Sequence, residues 1–372
     1  MTQVNPNKVK TDRINAHLEA GVGEGVFPGA VLLVARKGQV LFIEKAGYLS
    51  LIPDQIAIKR DTIFDLASLT KPLATTLALM KLVGEGKVEL DQPLSRLLPT
   101  PVPEDKKELT PRLLLSHSAG FTDWKPFYLD LMQYESEQRK RILREHILED
   151  PLVYSPAQAY LYSDLGFMIL EWIIEQATGM TMGQFVAQSF YEPLLLERTF
   201  LSEDTPAPPF KQEIFAATED CPWRKRIIQG EVDDENAWAL GGYSGHAGLF
   251  GPAEEVYVVV NLLREHYLGK RDDYLKPETV RAFFTRQDIV KESDWCLGWD
   301  SPSEENSSAG RYFSRNSVGH TGFTGTSVWM DLDKDVVVIL LTNRVHPTRN
   351  NEKIKAFRPK LHDLVMEELG FD

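Results

Sequence analysis

The chain has 372 residues, of which 43% are hydrophobic, 26% charged and 10% aromatic. That is the make-up of a soluble globular protein with two domains, or one large domain carrying an insertion, and it excludes wholesale disorder, collagen and a disulfide scaffold. Acidic residues outnumber basic ones 54 to 41, a net charge of −13, so the summed field repels phosphate backbones and no nucleic-acid partner is expected.

The first residues hold no apolar run of signal-peptide length, which leads to the expectation of a cytoplasmic protein. The spacing of Val9, Ile14, Leu18 and Val22 predicts a helix over 8–22. It runs into Gly21-Val-Gly23-Glu-Gly25, which lacks the preceding strand and final glycine of a dinucleotide fingerprint and reads as a helix stop. Residues 30–35 and 39–45 are β-rich runs around Arg36-Lys37-Gly38, a hairpin. Ser68 to Val83 reads as a long helix, and 87–103 as a loop-rich crossing. Helical patterns follow at 110–116, 135–149, 163–178 and 181–190, an inserted α block. Near the end, strands at 326–331 and 336–342 flank Leu332-Asp-Lys-Asp335, and 351–369 reads as a closing helix. The longest apolar runs, 256–263 and 336–341, are far short of the roughly 20 residues of a membrane span. Strands at both ends with a helical block between them give an α+β chain whose two ends share one sheet domain.

Cys221 and Cys296 lack C-x-x-C spacing and read as reduced and structural. The eight histidines show no H-E-x-x-H or comparable ligand spacing, so no metal is expected.

Three short stretches carry polar chemistry. In Ser68-Leu-Thr-Lys71 the hydroxyl and amine face one side of a helix, although S-x-x-K arises by chance about once in a chain this long. In Tyr162-Ser-Asp164 a tyrosine meets a loop-to-helix junction; a neighbouring lysine would lower its pKa and make phenolate a base, while Ser163 or Asp164 as a helix cap is the plain alternative. In His320-Thr321-Gly322, leading into Phe323, small residues on a strand admit a ligand against the backbone, or form an ordinary Gly-rich loop. No G-x-S-x-G elbow is present.

In this order and spacing the three stretches resemble the serine β-lactamase and penicillin-binding-protein superfamily. The likeness is to its class C branch, which includes D-alanyl-D-alanine carboxypeptidases and serine esterases. Pro28-Gly-Ala, Gly86-Lys-Val-Glu-Leu-Asp91, Leu114-Leu-Ser-His-Ser-Ala-Gly120, Gly245-His-Ala-Gly-Leu-Phe250 and Leu341-Thr-Asn343 extend it over nearly the whole chain. The resemblance implies an α+β fold, an antiparallel sheet flanked by helices built from 1–67 and 236–372, with a mostly helical domain at 68–235 and the site between them. It also implies Ser68 as acylated nucleophile, Lys71 as proton partner and Tyr162 as base, with an oxyanion hole from the backbone N–H groups of Ser68 and Phe323, a reaction that requires neither a metal nor an organic cofactor.

Two positions depart from the family pattern. Asp164 replaces an asparagine; a carboxylate accepts from Lys71 and keeps it protonated, but donates nothing to a substrate amide. His320 replaces a lysine and, largely neutral, traps a carboxylate poorly. Both favour a small ester or a peptide/amide, such as a recycled wall fragment, over a β-lactam. A weak β-lactamase and a slow wall-fragment-binding module are the alternatives. His246 reads as a cleft residue or a satisfied buried histidine, Trp124 and Tyr243 as pocket walls or core, and His117 as a structural helix-end residue. Glu231-Val-Asp-Asp-Glu-Asn236 reads as a solvated loop rather than a metal site.

Overall fold

A computed structural model describes residues 11–202 and 210–372. The first residues of the expected 8–22 helix, and the N-terminal stretch on which the expectation of a cytoplasmic protein rests, lie outside them. The elements in chain order begin with helix α1 (Asp12–Gly23), strands β1 (Gly29–Arg36), β2 (Gln39–Ser50), β3 (Ile56–Ala57) and β4 (Phe64–Asp65). A continuous helical rod over residues 67–84 follows: a 3₁₀ turn, a π-helical stretch from Lys71 to Thr76, and α2 (Leu77–Gly84). Then come α3 (Leu94–Leu97), α4 (Pro111–Leu115), α5 (Tyr128–Leu131), α6 (Ser136–Glu149), α7 (Asp164–Thr178) and α8 (Met182–Val186). Strands β5 (Phe200–Leu201), β6 (Ala217–Cys221) and β7 (Arg226–Gln229), helix α9 (Glu235–Ala239), β8 (Leu249–Gly251), α10 (Ala253–Tyr267) and α11 (Pro277–Phe283) lead to β9 (Ser317–Thr321), β10 (Ser327–Asp331), β11 (Val336–Thr342) and α12 (Ile354–Glu368).

Six strands form one antiparallel sheet in the order β3-β2-β1-β11-β10-β9, so the first and last parts of the chain pair directly. The centre of this sheet reads as unbroken apolar runs because both of its faces are covered. Val31, Leu33 and Ala35 of β1, with Val337, Ile339 and Leu341 of β11, enter the large core shared with α2, α7 and α10. Their alternates Ala30, Leu32 and Val34, with Val336, Val338 and Leu340, enter a second core against Ile14 and Leu18 of α1 and Phe357, Leu361 and Val365 of α12. The period-two side-chain alternation of a strand thus builds a three-layer body from one sequence run.

Most expected elements form within a few residues of their expected bounds. The rod from 67 to 84 is not uniformly α-helical, because Pro72 has no N–H to donate to the preceding turn. Helices α10 and α11 were not anticipated from the sequence, although Val256, Val259, Val260, Leu262 and Leu263 give α10 its buried face. The pair β6–β7 and the three-stranded set β4-β8-β5 also had no sequence counterpart; the strands in them are two to five residues long, too short to show a period. Among the described residues no helix is long and apolar enough to cross a membrane.

Leu340 is fully buried between the sheet and α12. Leu340→Ala is expected to lower the free energy of unfolding by about 2–5 kcal/mol, read by urea denaturation; a loss below about 1 kcal/mol would contradict this packing.

Candidate active site

Strand β4 ends at Asp65, and the chain turns sharply into the helical rod. Ala67 takes φ +49°, the left-handed region that costs a non-glycine residue about 1–2 kcal/mol. The turn is held by Asp65, whose Oδ1 accepts the Ala67 N–H at 2.8 Å, while its Oδ2 accepts the Asp233 N–H at 2.7 Å. The turn between β9 and β10 lies directly over it. Thr324 Oγ1 donates to the Asp65 carbonyl (2.8 Å) and Thr326 Oγ1 to that of Leu66 (3.1 Å). A Cβ on Gly322 would stand 2.7 Å from the Leu66 carbonyl and 2.1 Å from Thr326 Oγ1, so only glycine allows this approach. Ser68 and the His320-Thr321-Gly322-Phe323 stretch therefore face one another across a fixed gap. Phe323 is half exposed, its ring under the guanidinium of Arg344 (4.6 Å) and its carbonyl held by Arg344 Nε at 2.7 Å.

One turn into the rod, Lys71 is completely buried. Its Nζ lies 3.1 Å from Ser68 Oγ, 2.7 Å from Asp164 Oδ1 and 3.3 Å from the carbonyl of His246, and 4.7 Å above the ring of Tyr162. Burial pushes its pKa down, but Asp164 and Tyr162 together outweigh this and the ammonium is held above its usual value. Asp164 is the first residue of α7, where the helix dipole favours a negative charge. Ser163 makes no capping bond; its hydroxyl donates to the Thr122 carbonyl at 2.7 Å, so the plain cap reading of this stretch does not hold.

The Tyr162 hydroxyl is turned toward Lys71 and Ser68. The sequence led to a phenol lowered by its lysine neighbour; the structure corrects this. Burial, helped by Asp164, pushes Tyr162 up against the opposing pull of Lys71. His320 is buried beside Lys71 and falls to about 3, so it is neutral. Its Nδ1 pairs with the Thr321 carbonyl at 2.9 Å.

Two aromatic residues complete the surroundings. The ring of His117, past the end of α4, packs 4.7 Å from Tyr162 and 4.3 Å from Trp295, and its Nδ1 accepts the Ser163 N–H at 3.0 Å. It fixes the segment that carries Tyr162. Trp295 faces both Tyr162 (5.7 Å) and His320 (5.8 Å). Its stretch has no regular period, so the sequence did not single it out. Trp124 sits in a segment bonded to the start of α7 and is substantially exposed. Tyr243 goes to the core, where its hydroxyl accepts the Gly183 N–H at 3.2 Å.

His246 is buried, with Nε2 3.0 Å from Asp234 Oδ1. Its segment is anchored by Glu171 of α7, which accepts from Ser244 Oγ (2.7 Å) and the Gly245 N–H (2.9 Å). The 231–236 stretch is therefore not a solvated loop. Val232, Asp233 and Asn236 are buried, and Asp234 caps α9 through the Ala237 N–H at 2.7 Å. Arg224 donates to the carbonyls of Val232 and Asp233, and Arg349 bonds Glu219 and Glu235. These cations offset the buried acids that composition alone placed in water. Ligand atoms of Asp164, Asp234 and His246 lie within 4.8 Å of one another, but the Lys71 ammonium already holds Asp164 Oδ1, leaving a charge network in place of a cation cage.

Comparison with known proteins places the chain in a family. Residues 14–360 match the model of the Beta-lactamase family. An N-acetylmuramyl-L-alanine amidase of Bacillus subtilis is 30% identical over 91% of this chain and 81% of its own. A putative D-alanyl-D-alanine carboxypeptidase of Salmonella agona is 30% identical over 95% and 88%. Among solved structures, EstCE1, described as a hydrolase with promiscuous acyltransferase activity, superposes with a TM-score of 0.71 over 94% of this chain and 98% of that one, at 23% identity.

Burial, with the Asp233 carboxylate adding to it, pushes Asp65 up to about 7. An acid raised on folding favours the protonated folded state, so its contribution to stability is full below about pH 4 and is lost as pH rises through about 7. Asp65→Asn is expected to flatten the pH dependence of stability between these limits, measured by denaturation at a series of pH values. An unchanged slope would contradict it.

Proposed function

This chain belongs to the Beta-lactamase family and is a serine hydrolase that acts through an acyl-enzyme, and on that premise we propose how its residues divide the work. Ser68 Oγ attacks the acyl carbon. The Ser68 and Phe323 N–H groups receive the oxyanion, a role that depends on the turn contacts described above. Tyr162, held neutral, takes the Ser68 proton as it passes its own to Lys71 in the free-amine form, so no phenolate need form; Lys71 must first have lost a proton. Lys71 and Tyr162 then return a proton to the leaving group and, in the second half, activate water. Residues 68–235 act as the helical unit, bringing Ser68, Lys71, Tyr162 and Asp164. Residues 1–67 and 236–372, the sheet unit, bring His246, His320, Thr321, Gly322 and Phe323.

The substrate is a small ester or an amide without a free carboxylate beside the scissile bond. The observation that carries this is His320: buried and neutral, it offers no cation to a carboxylate at the third motif. Ionised Asp164 accepts hydrogen bonds and donates none, which disfavours the acylamide of a β-lactam. The amidase relative supports an amide of a wall fragment as the natural substrate.

The test is hydrolysis of a short-chain nitrophenyl ester followed over many equivalents. Wild type is expected to turn over, Ser68→Ala to be inactive, and Tyr162→Phe to lose about 10²–10⁴-fold in kcat/KM. A β-lactam chromogen is expected to be turned over far more slowly than the ester. Full activity in Ser68→Ala would refute the nucleophile, full activity in Tyr162→Phe would refute the relay, and product release stopping after one equivalent would favour a binding module.

A further inference from the structure

The resting site has no ready base. Lys71 is an ammonium bonded to Asp164, and Tyr162 is a neutral phenol. Before Ser68 can lose its proton, Lys71 must lose one, against the pull of a carboxylate 2.7 Å away.

The neighbourhood of Asp164 holds a second base. A ring nitrogen of His246 lies within 4.8 Å of carboxylate oxygens of both Asp164 and Asp234. His246 reaches this position from the segment that Glu171 pins to α7 and Thr75 to the helical rod; Thr75 Oγ1 donates to the Gly245 carbonyl at 2.6 Å. The charged groups facing His246 are Asp234 at the start of α9, Asp164 at the start of α7 and Lys71 on the rod. Two carboxylates therefore hold two bases, and with both bases protonated the cluster is neutral.

We propose that His246 is a positioning residue for the base: its imidazolium shares the charge of Asp164 and so releases Lys71 as a free amine. Loss of one proton from the cluster leaves a single proton to be divided between Lys71 and His246, and the reactive form is the one with that proton on His246. The balance is closed within the cluster. Lys71 Nζ, now with a lone pair, takes the Ser68 proton through Tyr162 while the Oγ–acyl bond forms. The proton on Lys71 then leaves with the departing group. Asp234 and Asp164 both raise His246 against its burial, the direction needed for it to keep its proton. Because the sites interact strongly, the titration belongs to the cluster rather than to one residue.

The inference rests on Ser68 and Lys71 acting as proposed above. Its test is the pH profile of kcat/KM for nitrophenyl ester hydrolysis by the full chain, wild type against His246→Gln. Glutamine retains an N–H for Asp234 but holds no proton-borne charge. The variant is expected to lose activity at neutral pH and recover as pH rises, its acid limb displaced upward by one pH unit or more. His246→Asn, a shorter amide that likewise holds no proton-borne charge and leaves both carboxylates facing Lys71, is expected to move the limb the same way. A loss equal at every pH, with the limb in place, would show a merely structural role and overturn the inference. If His246→Gln does not fold, His246→Asn decides alone, an unmoved limb again overturning it. Failure of the underlying reading is separate: it is seen as activity surviving in Ser68→Ala, whatever the limb does.

Discussion

The structure is organised around one buried ion pair. Taking an ammonium out of water costs several kcal/mol unless the protein replaces its hydration, and Lys71 is completely enclosed. Its replacements come from two other parts of the chain: the 162–164 stretch, which brings the face of Tyr162 and the Asp164 carboxylate at the start of α7, and the His246 carbonyl. Lys71 is satisfied only when the rod, α7 and the 244–246 segment are assembled. The same assembly puts Ser68 Oγ at 3.1 Å from Nζ. Stability and chemistry therefore share one contact, and the pair that secures the fold is also what holds the base in its protonated form.

The six-stranded sheet supplies the opposing wall. Its edge strand β9 carries His320 to the site, and the turn into β10 is tied to residues 65–66 by the hydroxyls of Thr324 and Thr326. Behind that turn Arg344 holds the Phe323 carbonyl. Close approach is enforced by small residues: at Gly319 a Cβ would meet the Trp329 ring at 2.2 Å. A rigid frame of this kind suits a reaction whose oxyanion must be met by backbone donors already in place.

Much of this was legible in the sequence. The split sheet was visible in the apolar runs of β1 and β11, because each buries both faces. Ser68-x-x-Lys71, Tyr162-x-Asp164 and His320-Thr-Gly322 were legible as chemistry only jointly, since each alone has an ordinary explanation. Three features were not legible. Trp295 comes from an irregular stretch that only the folded chain brings to Tyr162. Asp234 was hidden in an acidic run that reads as solvated, because the histidine and arginines compensating it lie elsewhere in the chain. The direction of the Tyr162 shift depends on burial competing with the charge of Lys71, a balance that spacing does not reveal.

The most direct test of the central ion pair is the pH dependence of Ser68 acylation in Asp164→Asn, followed by stopped flow with an ester substrate. With the carboxylate gone, burial at Lys71 is opposed chiefly by Tyr162, and the account predicts an acid limb moved down by at least one pH unit. An acid limb that stays where it is in wild type, or moves up, would contradict the claim that Asp164 holds the Lys71 proton.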